Sequence, residues 1–455
     1  MTRDAPRPSP LPLAYYEALA ALSERGRFGI RLGLGRTRAL LRELGDPQLA
    51  VRGALVAGTN GKGSVLALAG SALRAAGLLV GETPKPHLVT YRERVQVDGR
   101  PISAADFARH VDVVLRAADA VARRHDEPTE FELLTAVVFR HFAEVGLDVA
   151  LVEVGLGGRL DATHAWDGGV AAITNVDLDH MDRLGSTIAA IAREKAAIIE
   201  RGDLAVSGAS GEALEIVRRR AHRVGAPLTV VDPAPLLGWD RDGIEVELPR
   251  LGRTRVGLRG RHQAANVAVA DALLDALEAT GIATADADAR RAGYASTVWP
   301  GRLELLVVNG HDVLLDGAHN PAGAAALATS LDDLRPYLTV GPLTLVTASM
   351  ADKDVGGVIA AIARAEALRG ATIITTSLDL ARALPANALA ARWTELASTV
   401  VDRVVAVPDA IAAVDRALDR PGPTVVAGSL YLVGAARAHL VDDPDLRDPT
   451  VPEPA

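Results

Sequence analysis

A chain of 455 residues with 49% hydrophobic content and a formal net charge of −8 describes globular domains and excludes both a disordered chain and an electrostatic nucleic-acid binder. The absence of cysteine excludes disulfides, thiol catalysis and Cys-ligated zinc. No apolar run approaches the roughly 20 residues of a membrane span, and the Pro-rich stretch 1–13 lacks the core of a signal peptide, so the expectation is a cytoplasmic small-molecule enzyme without membrane or nucleic-acid partners.

In chain order, the first apolar run is 54–56. Gly58-Thr59-Asn60-Gly61-Lys62-Gly63-Ser64 follows it, and a helical pattern begins near Lys62. A strand, a glycine-rich turn and a helix place main-chain N–H groups around a phosphate. Lys62 would then reach the terminal phosphates, and the Ser64 hydroxyl would ligate Mg²⁺. The spacing is G-x-x-G-K-G-S, with Gly63 inserted relative to the commoner G-x-x-x-x-G-K-[ST] form. An incidental lysine in a glycine-rich turn is the competing reading. Lysine usage weighs against it: of 49 Lys and Arg residues, only Lys62, Lys85, Lys195 and Lys353 are lysines. A compact ammonium does work that a guanidinium cannot.

The run 149–154 contains Glu153 near its end and leads into a Gly-rich stretch, 155–162. A carboxylate closing a buried apolar strand is costly unless paired or metal-bound. The next strand, 170–174, runs into Asn175, Asp177, Asp179 and His180. Ligands of open α/β sheets gather at the carboxyl ends of strands, so two strand ends deliver oxygen ligands and one imidazole to one crevice. Turn or cap roles for Asp177 and Asp179 are an equal alternative. From Thr187, a helical pattern places Ile188, Ile191, Ala192, Lys195, Ile198 and Ile199 on one stripe. An ammonium there needs a partner or sheds its proton, and the neutral amine is reactive. A lysine that snorkels out or pairs with Glu153 is the other reading.

A strand at 204–206 and a β-rich segment at 228–256 precede a helix over 260–277. Residues 299–302, Trp-Pro-Gly-Arg, form a turn-rich joint. Beyond it, strands recur at 313–315, 343–347, 372–375, 404–406 and 424–427, separated by helical patterns. This alternation implies parallel sheets with crossover helices. The expected class is α/β: a P-loop domain over 1–298 with a mostly parallel sheet, and a smaller Rossmann-like α/β domain over 299–440. The Asp- and Pro-rich residues 441–455 read as a disordered tail.

Taken together, these segments resemble the folylpolyglutamate synthase/dihydrofolate synthase family of the Mur-ligase superfamily. The resemblance rests on 58–64, Pro86-His87-Leu88 with Glu93-Arg94-Val95, Phe131-Glu132-Leu133-Leu134-Thr135, and 153–162. It continues through 173–180, Arg193-Glu194-Lys195-Ala196, 262–266, 300–304, 316–321 and Asp352-Lys353-Asp354. It implies an ATP-dependent amide ligase: ATP phosphorylates a carboxylate, and the amine of L-glutamate displaces phosphate from the acyl phosphate. The acceptor would be dihydropteroate, a folate, or both.

The resemblance also implies Mg²⁺, expected as two ions, held by Ser64, Glu153 and His180, with Lys195 carbamylated by CO₂ as a further ligand. Lys62, Lys195 and His180 would be catalytic. ATP would contact Gly58, Thr59, Asn60, Gly61, Lys62, Gly63 and Ser64 on one side and Asn266, Arg302, Asp316 and His319 on the other. Phe131, Glu132, Leu160, Asp161 and Ala162 would line the acceptor pocket. The family is mainly monomeric, and a monomer is expected. Lys85 is a departure, since the family carries a metal-binding serine just before Pro-His-Leu; its charge would instead face a phosphate or the substrate carboxylate, and a surface lysine is the equal alternative. Three other functions compete, one of them a non-catalytic folate-binding relative, against which the intact set of expected metal ligands stands. Against a Mur-type ligase of peptidoglycan precursors stand the Phe131-Glu132 and 153–162 segments. Against a P-loop kinase or switch stand the inward lysine and the Asp-Gly-Ala-His-Asn-Pro turn at 316–321.

Overall fold

The computed structural model describes residues 14–26, 29, 31–380 and 382–449. Its first sheet contains β1 (Gly53–Ala57), β2 (Val80–Thr83), β3 (Gln96–Val97), β4 (Arg100–Pro101), β5 (Val149–Glu153), β6 (Gly169–Ile173), β7 (Leu204–Ser207) and β8 (Leu228–Val230). The spatial order is β4-β3-β2-β5-β1-β6-β7-β8. Neighbours from β2 to β8 are parallel, and antiparallel pairing is confined to the β3–β4 edge. β1, β2 and β5 are buried along their whole length, as a parallel sheet covered on both faces requires. That double burial is why they read as continuous apolar runs. The chain leaves β1 for β2 on one side and later places β6 on the other. The strand order therefore reverses at β1, opening a crevice at the carboxyl ends of β1, β5 and β6.

The segment 228–256 supplies β8 and then an antiparallel meander, β9 (Leu236–Asp240), β10 (Gly243–Leu248) and β11 (Gly252–Val256). A second mixed sheet follows residues 299–302: β12 (Glu304–Val308), β13 (His311–Asp316), β14 (Thr344–Thr347), β15 (Thr372–Thr375), β16 (Arg403–Ala406) and β17 (Thr424–Ala427). Its order is β12-β13-β17-β14-β15-β16, with only β12 antiparallel. The cores divide in the same place. Phe107, Phe139 and Val152 pack on one face of the first sheet and Val56, Leu151 and Leu273 on the other. Leu345, Trp393 and Val425 pack in the second unit.

Residues 441–449 depart from the expected disordered tail. They include a 3₁₀ turn, Pro444–Leu446, and lie against the first unit through the buried Arg92. Its guanidinium pairs with Asp448 at 3.1 Å and donates to the main-chain oxygens of Asp445 and Arg447, each at 2.9 Å. Composition suggests disorder because the segment has little to bury; hydrogen bonds to one buried cation order it instead. The remainder of the expected tail, 450–455, lies outside the described residues, as does 1–13. No helix among the described residues is long and apolar enough to cross a membrane.

Candidate active site

β1 delivers the chain into the phosphate loop, and the helix Lys62–Ala75 starts behind Gly61, whose φ of 82° is left-handed. Glycine takes that conformation without a Cβ penalty. The segment after β6 holds the loop in place. Asn60 N donates to Asn175 Oδ1 at 2.8 Å, and Thr59 N donates to Asn175 O at 3.1 Å. The Thr59 hydroxyl donates to Asp177 O at 3.1 Å and accepts from Asp177 N at 3.0 Å. Thr174 Oγ1 donates to Asn60 O at 2.6 Å. Asn175 and Asp177 thus shape the loop through amide and main-chain groups, the turn role that competed with ligation.

Two ammoniums converge on one loop carbonyl. Lys62 Nζ donates to Gly58 O at 3.1 Å and to Thr59 O at 3.2 Å, and lies 3.8 Å from Glu153 Oε1. Lys195, 5% exposed on the helix Ile188–Ala196, donates to the same Gly58 O at 2.7 Å. Its pKa is pushed down to about 7, first by burial and then by Lys62, against the pull of Asp179 and Asp161. Among the described residues no carboxylate lies within ion-pairing reach of Lys195. Pairing with Glu153 is therefore not what the fold does; Lys62 occupies that place. Glu153 is 3% exposed, and its Oε2 accepts from Lys85 N at 2.9 Å. Burial raises its pKa while Lys62, Lys85 and Arg302 hold it down.

The crevice continues into a cleft of about 770 Å³ whose opposite wall belongs to the second unit. Thr59, Asn60, Gly61, Lys62, Gly63, Ser64, Phe131, Glu153, His180 and Asn266 line one side; Arg302, Asp316 and His319 line the other. Asp316, at the end of β13, accepts from Leu303 N and Ala318 N, each at 2.9 Å. Burial raises its pKa and Arg302 opposes. His319 Nδ1 faces Gly317 O at 2.8 Å. A carbonyl only accepts, so the ring proton sits on Nδ1 and leaves Nε2 as a lone pair. Asn266 Nδ2 donates to Gln263 Oε1 at 2.8 Å. His180, with a left-handed φ of 48°, is half exposed, with Nε2 3.9 Å from Asp179 Oδ2.

The five residues expected to line the acceptor pocket separate here. Phe131 lines the cleft. Glu132 is turned into a capping box on the helix Glu130–Val145: its Oε2 accepts from Thr129 N at 2.7 Å and from Arg36 Nε at 3.1 Å. Asp161 folds its own loop, accepting from Leu156 N at 2.8 Å and Thr163 N at 3.0 Å. Leu160 and the buried Ala162 belong to the same loop, and none of these four borders the cleft. Carboxylates beside unsatisfied main-chain N–H groups bond to those groups first. Asp354 does the same, capping the helix Val355–Ile362 through Gly357 N at 2.9 Å. Sequence reasoning missed Trp299 as a wall. A Cβ on Gly63 would stand 2.7 Å from Trp299 Cζ2, so the inserted glycine was the signal.

Among the described residues, no group of three or more His, Asp or Glu side chains converges on a cation. Mg²⁺ requires no such cage when phosphates and water complete its shell. The buried Glu153 and Ser64, both on the cleft, fit that requirement. Lys195 as an ammonium does not, because it is a hydrogen-bond donor that repels a cation.

The Mur ligase middle domain matches residues 56–274, and the Mur ligase glutamate ligase domain matches 301–430. The dihydrofolate synthase/folylpolyglutamate synthase of Mycobacterium tuberculosis is 35% identical over 455 residues, covering 90% of each chain. A probable bifunctional folylpolyglutamate synthase/dihydropteroate synthase of Haloferax volcanii is 35% identical over 452 residues, covering 93% of this chain. This chain spans only 50% of that relative's length. The crystal structure of Mycobacterium tuberculosis folylpolyglutamate synthase complexed with ADP and AMPPCP has a TM-score of 0.82 at 34% identity, covering 94% of this chain and 100% of that one. With both halves of its cleft matched in this way, the chain belongs to the folylpolyglutamate synthase/dihydrofolate synthase family of Mur ligases.

Proposed function

We propose that the protein is an ATP-dependent ligase that adds L-glutamate to dihydropteroate, to folates, or to both, through an acyl phosphate. The observation that carries this reading is the phosphate loop lining a cleft between two α/β units, with Lys62 beside the buried Glu153. A kinase site needs the loop and one acceptor; a cleft walled by a second unit has room for an acceptor and an amine as well.

The loop N–H groups and Lys62 take the ATP phosphates, with Lys62 leaving its loop carbonyls for them. Asn266 contacts the nucleotide from the loop side, and Arg302, Asp316 and His319 contact it from the far wall. Glu153 and Ser64 would hold Mg²⁺, which neutralises phosphate charge during transfer. An acceptor carboxylate oxygen bonds to the γ-phosphorus as the bond to the β-phosphate oxygen breaks. The glutamate amine then attacks the acyl carbon, phosphate departs with the former carboxylate oxygen, and the amine gives up a proton. Lys195 is the residue for carbamylation: its neutral amine adds CO₂, forming an N–C bond and releasing a proton. A carbamate there would supply anionic oxygens near Lys62 and would complete the ligand set with His180. Its burial, its pKa near 7 and its lack of a carboxylate partner among the described residues support this reading.

ADP release measured with dihydropteroate, and separately with tetrahydrofolate, each with and without glutamate, tests the proposal. Release that needs both acceptor and glutamate supports it. Release that is indifferent to both sinks it.

A further inference from the structure

Two lysines line the cleft, and Lys85 is the one that is not part of the phosphate loop. It follows β2 directly, and β2 pairs in register with β5, Thr83 opposite Val152, so Lys85 stands beside Glu153. Pro84 and Pro86 flank it, each with a fixed φ. Its main chain is bonded to Glu153 Oε2, and its ammonium donates to Glu153 O and sits 5.0 Å from the centroid of the Phe131 ring. An ammonium has three donors. One is on the carbonyl and one faces the ring, which leaves a third for the cleft that Lys85 lines. Among the described residues no carboxylate pairs with it, while the neighbouring Arg94 is bonded to His87 at 2.9 Å.

Glu153 therefore stands between two ammoniums, with Lys62 on the phosphate-loop side and Lys85 on the Phe131 side. Asp161 also acts on Lys85, but its oxygens are taken by the N–H and hydroxyl groups of its own loop, and Arg94 adds a further positive charge nearby, so the wall keeps positive charge on either flank of Glu153. The phosphate takes one flank. We propose that Lys85 receives the acceptor's carboxylate, the group to be phosphorylated, and so sets it next to the phosphate held by Lys62. This assignment rests on the ligase reading and adds a specificity residue to it.

The test is binding of dihydropteroate and of its methyl ester to the full chain loaded with a non-hydrolysable ATP analogue, by calorimetry, in wild type and Lys85→Met. Wild type should prefer the acid. In Lys85→Met the acid/ester preference should fall about 10-fold or more, the scale of a charge-assisted hydrogen bond, with the nucleotide's affinity within about twofold of wild type. Lys85→Gln, which keeps a donor for Glu153 O but no charge, should lose the preference equally, and it serves if the Met variant does not fold. An unchanged preference, or equal weakening of acid and ester, overturns the assignment. Failure of the ligase reading would look different: wild type itself would show no ADP release dependent on acceptor and glutamate.

Discussion

Replacing Lys195 with methionine should stabilise the protein while abolishing its activity. Methionine reproduces the buried stem on the helix Ile188–Ala196 but has no charged group to desolvate. The fall of the lysine pKa from 10.5 to about 7 corresponds to roughly 4–5 kcal/mol against the buried ammonium. Losing the hydrogen bond to Gly58 O, which still accepts from Lys62, gives back about 1 kcal/mol. A net gain of roughly 3 kcal/mol would raise the midpoint of the first unfolding transition by roughly 5–10 °C. The sign depends on pH. The unfolded lysine is protonated below about 10.5, so the wild-type penalty is fully present below about pH 7 and shrinks as pH rises toward 10.5. Thermal unfolding in CO₂-free buffer at pH 6.5 and pH 9.5, alongside ADP release, measures all of this. A lower midpoint at pH 6.5, a gain that does not shrink at pH 9.5, or retained activity would each refute the reasoning.

Glu153→Gln removes the charge between Lys62 and Lys85, and ATP-dependent turnover should fall about 10²-fold or more; steady-state ADP release near the wild-type rate would show that this carboxylate is not in the chemistry. Arg92→Ala strips a buried cation from Asp448 and from the main-chain oxygens of Ile102, Asp445 and Arg447. A cost of about 3 kcal/mol is expected, together with faster hydrogen exchange over 441–449, and unaltered exchange there would contradict the docking of this segment. Asp203 is buried, with its pKa raised to about 7 chiefly by burial. The folded state then holds a proton that the unfolded state loses above about pH 4, so this contribution is present at low pH and lost as pH rises through 7. Asp203→Asn should raise the unfolding midpoint at pH 8 and leave it nearly unchanged at pH 4.5; equal shifts at both pH values would argue against a protonated Asp203.

The phosphate loop, Glu153 and Lys195 were legible in the sequence because each breaks a local rule. Lys62 is a rare lysine after a glycine-rich turn, Glu153 closes an apolar strand, and Lys195 interrupts an apolar stripe. The parallel strands were legible because sheets buried on both faces are written as short apolar runs. Glu132 and Asp161, expected to line the acceptor pocket, are bonded locally and do not border the cleft. Thr129-x-x-Glu132 is a capping box in the sequence itself, and Asp161-Ala162-Thr163 is an Asx-type turn, so the bland signal was present beside the functional one. What no local pattern could show is pairing across distance. Arg437 meets Glu304 at 3.0 Å across 133 residues of chain, and Arg92 meets Asp448 across 356. Neither partner is unusual in its own neighbourhood, and only the fold brings them together.

The most direct measurement follows an oxygen atom. With an acceptor whose carboxylate carries ¹⁸O, turnover through an acyl phosphate transfers one labelled oxygen to the phosphate released, and mass spectrometry of that phosphate should find it only when ATP and glutamate are both present. Phosphate that emerges unlabelled while amide product accumulates would contradict acyl transfer through phosphate and, with it, the chemistry assigned to this cleft.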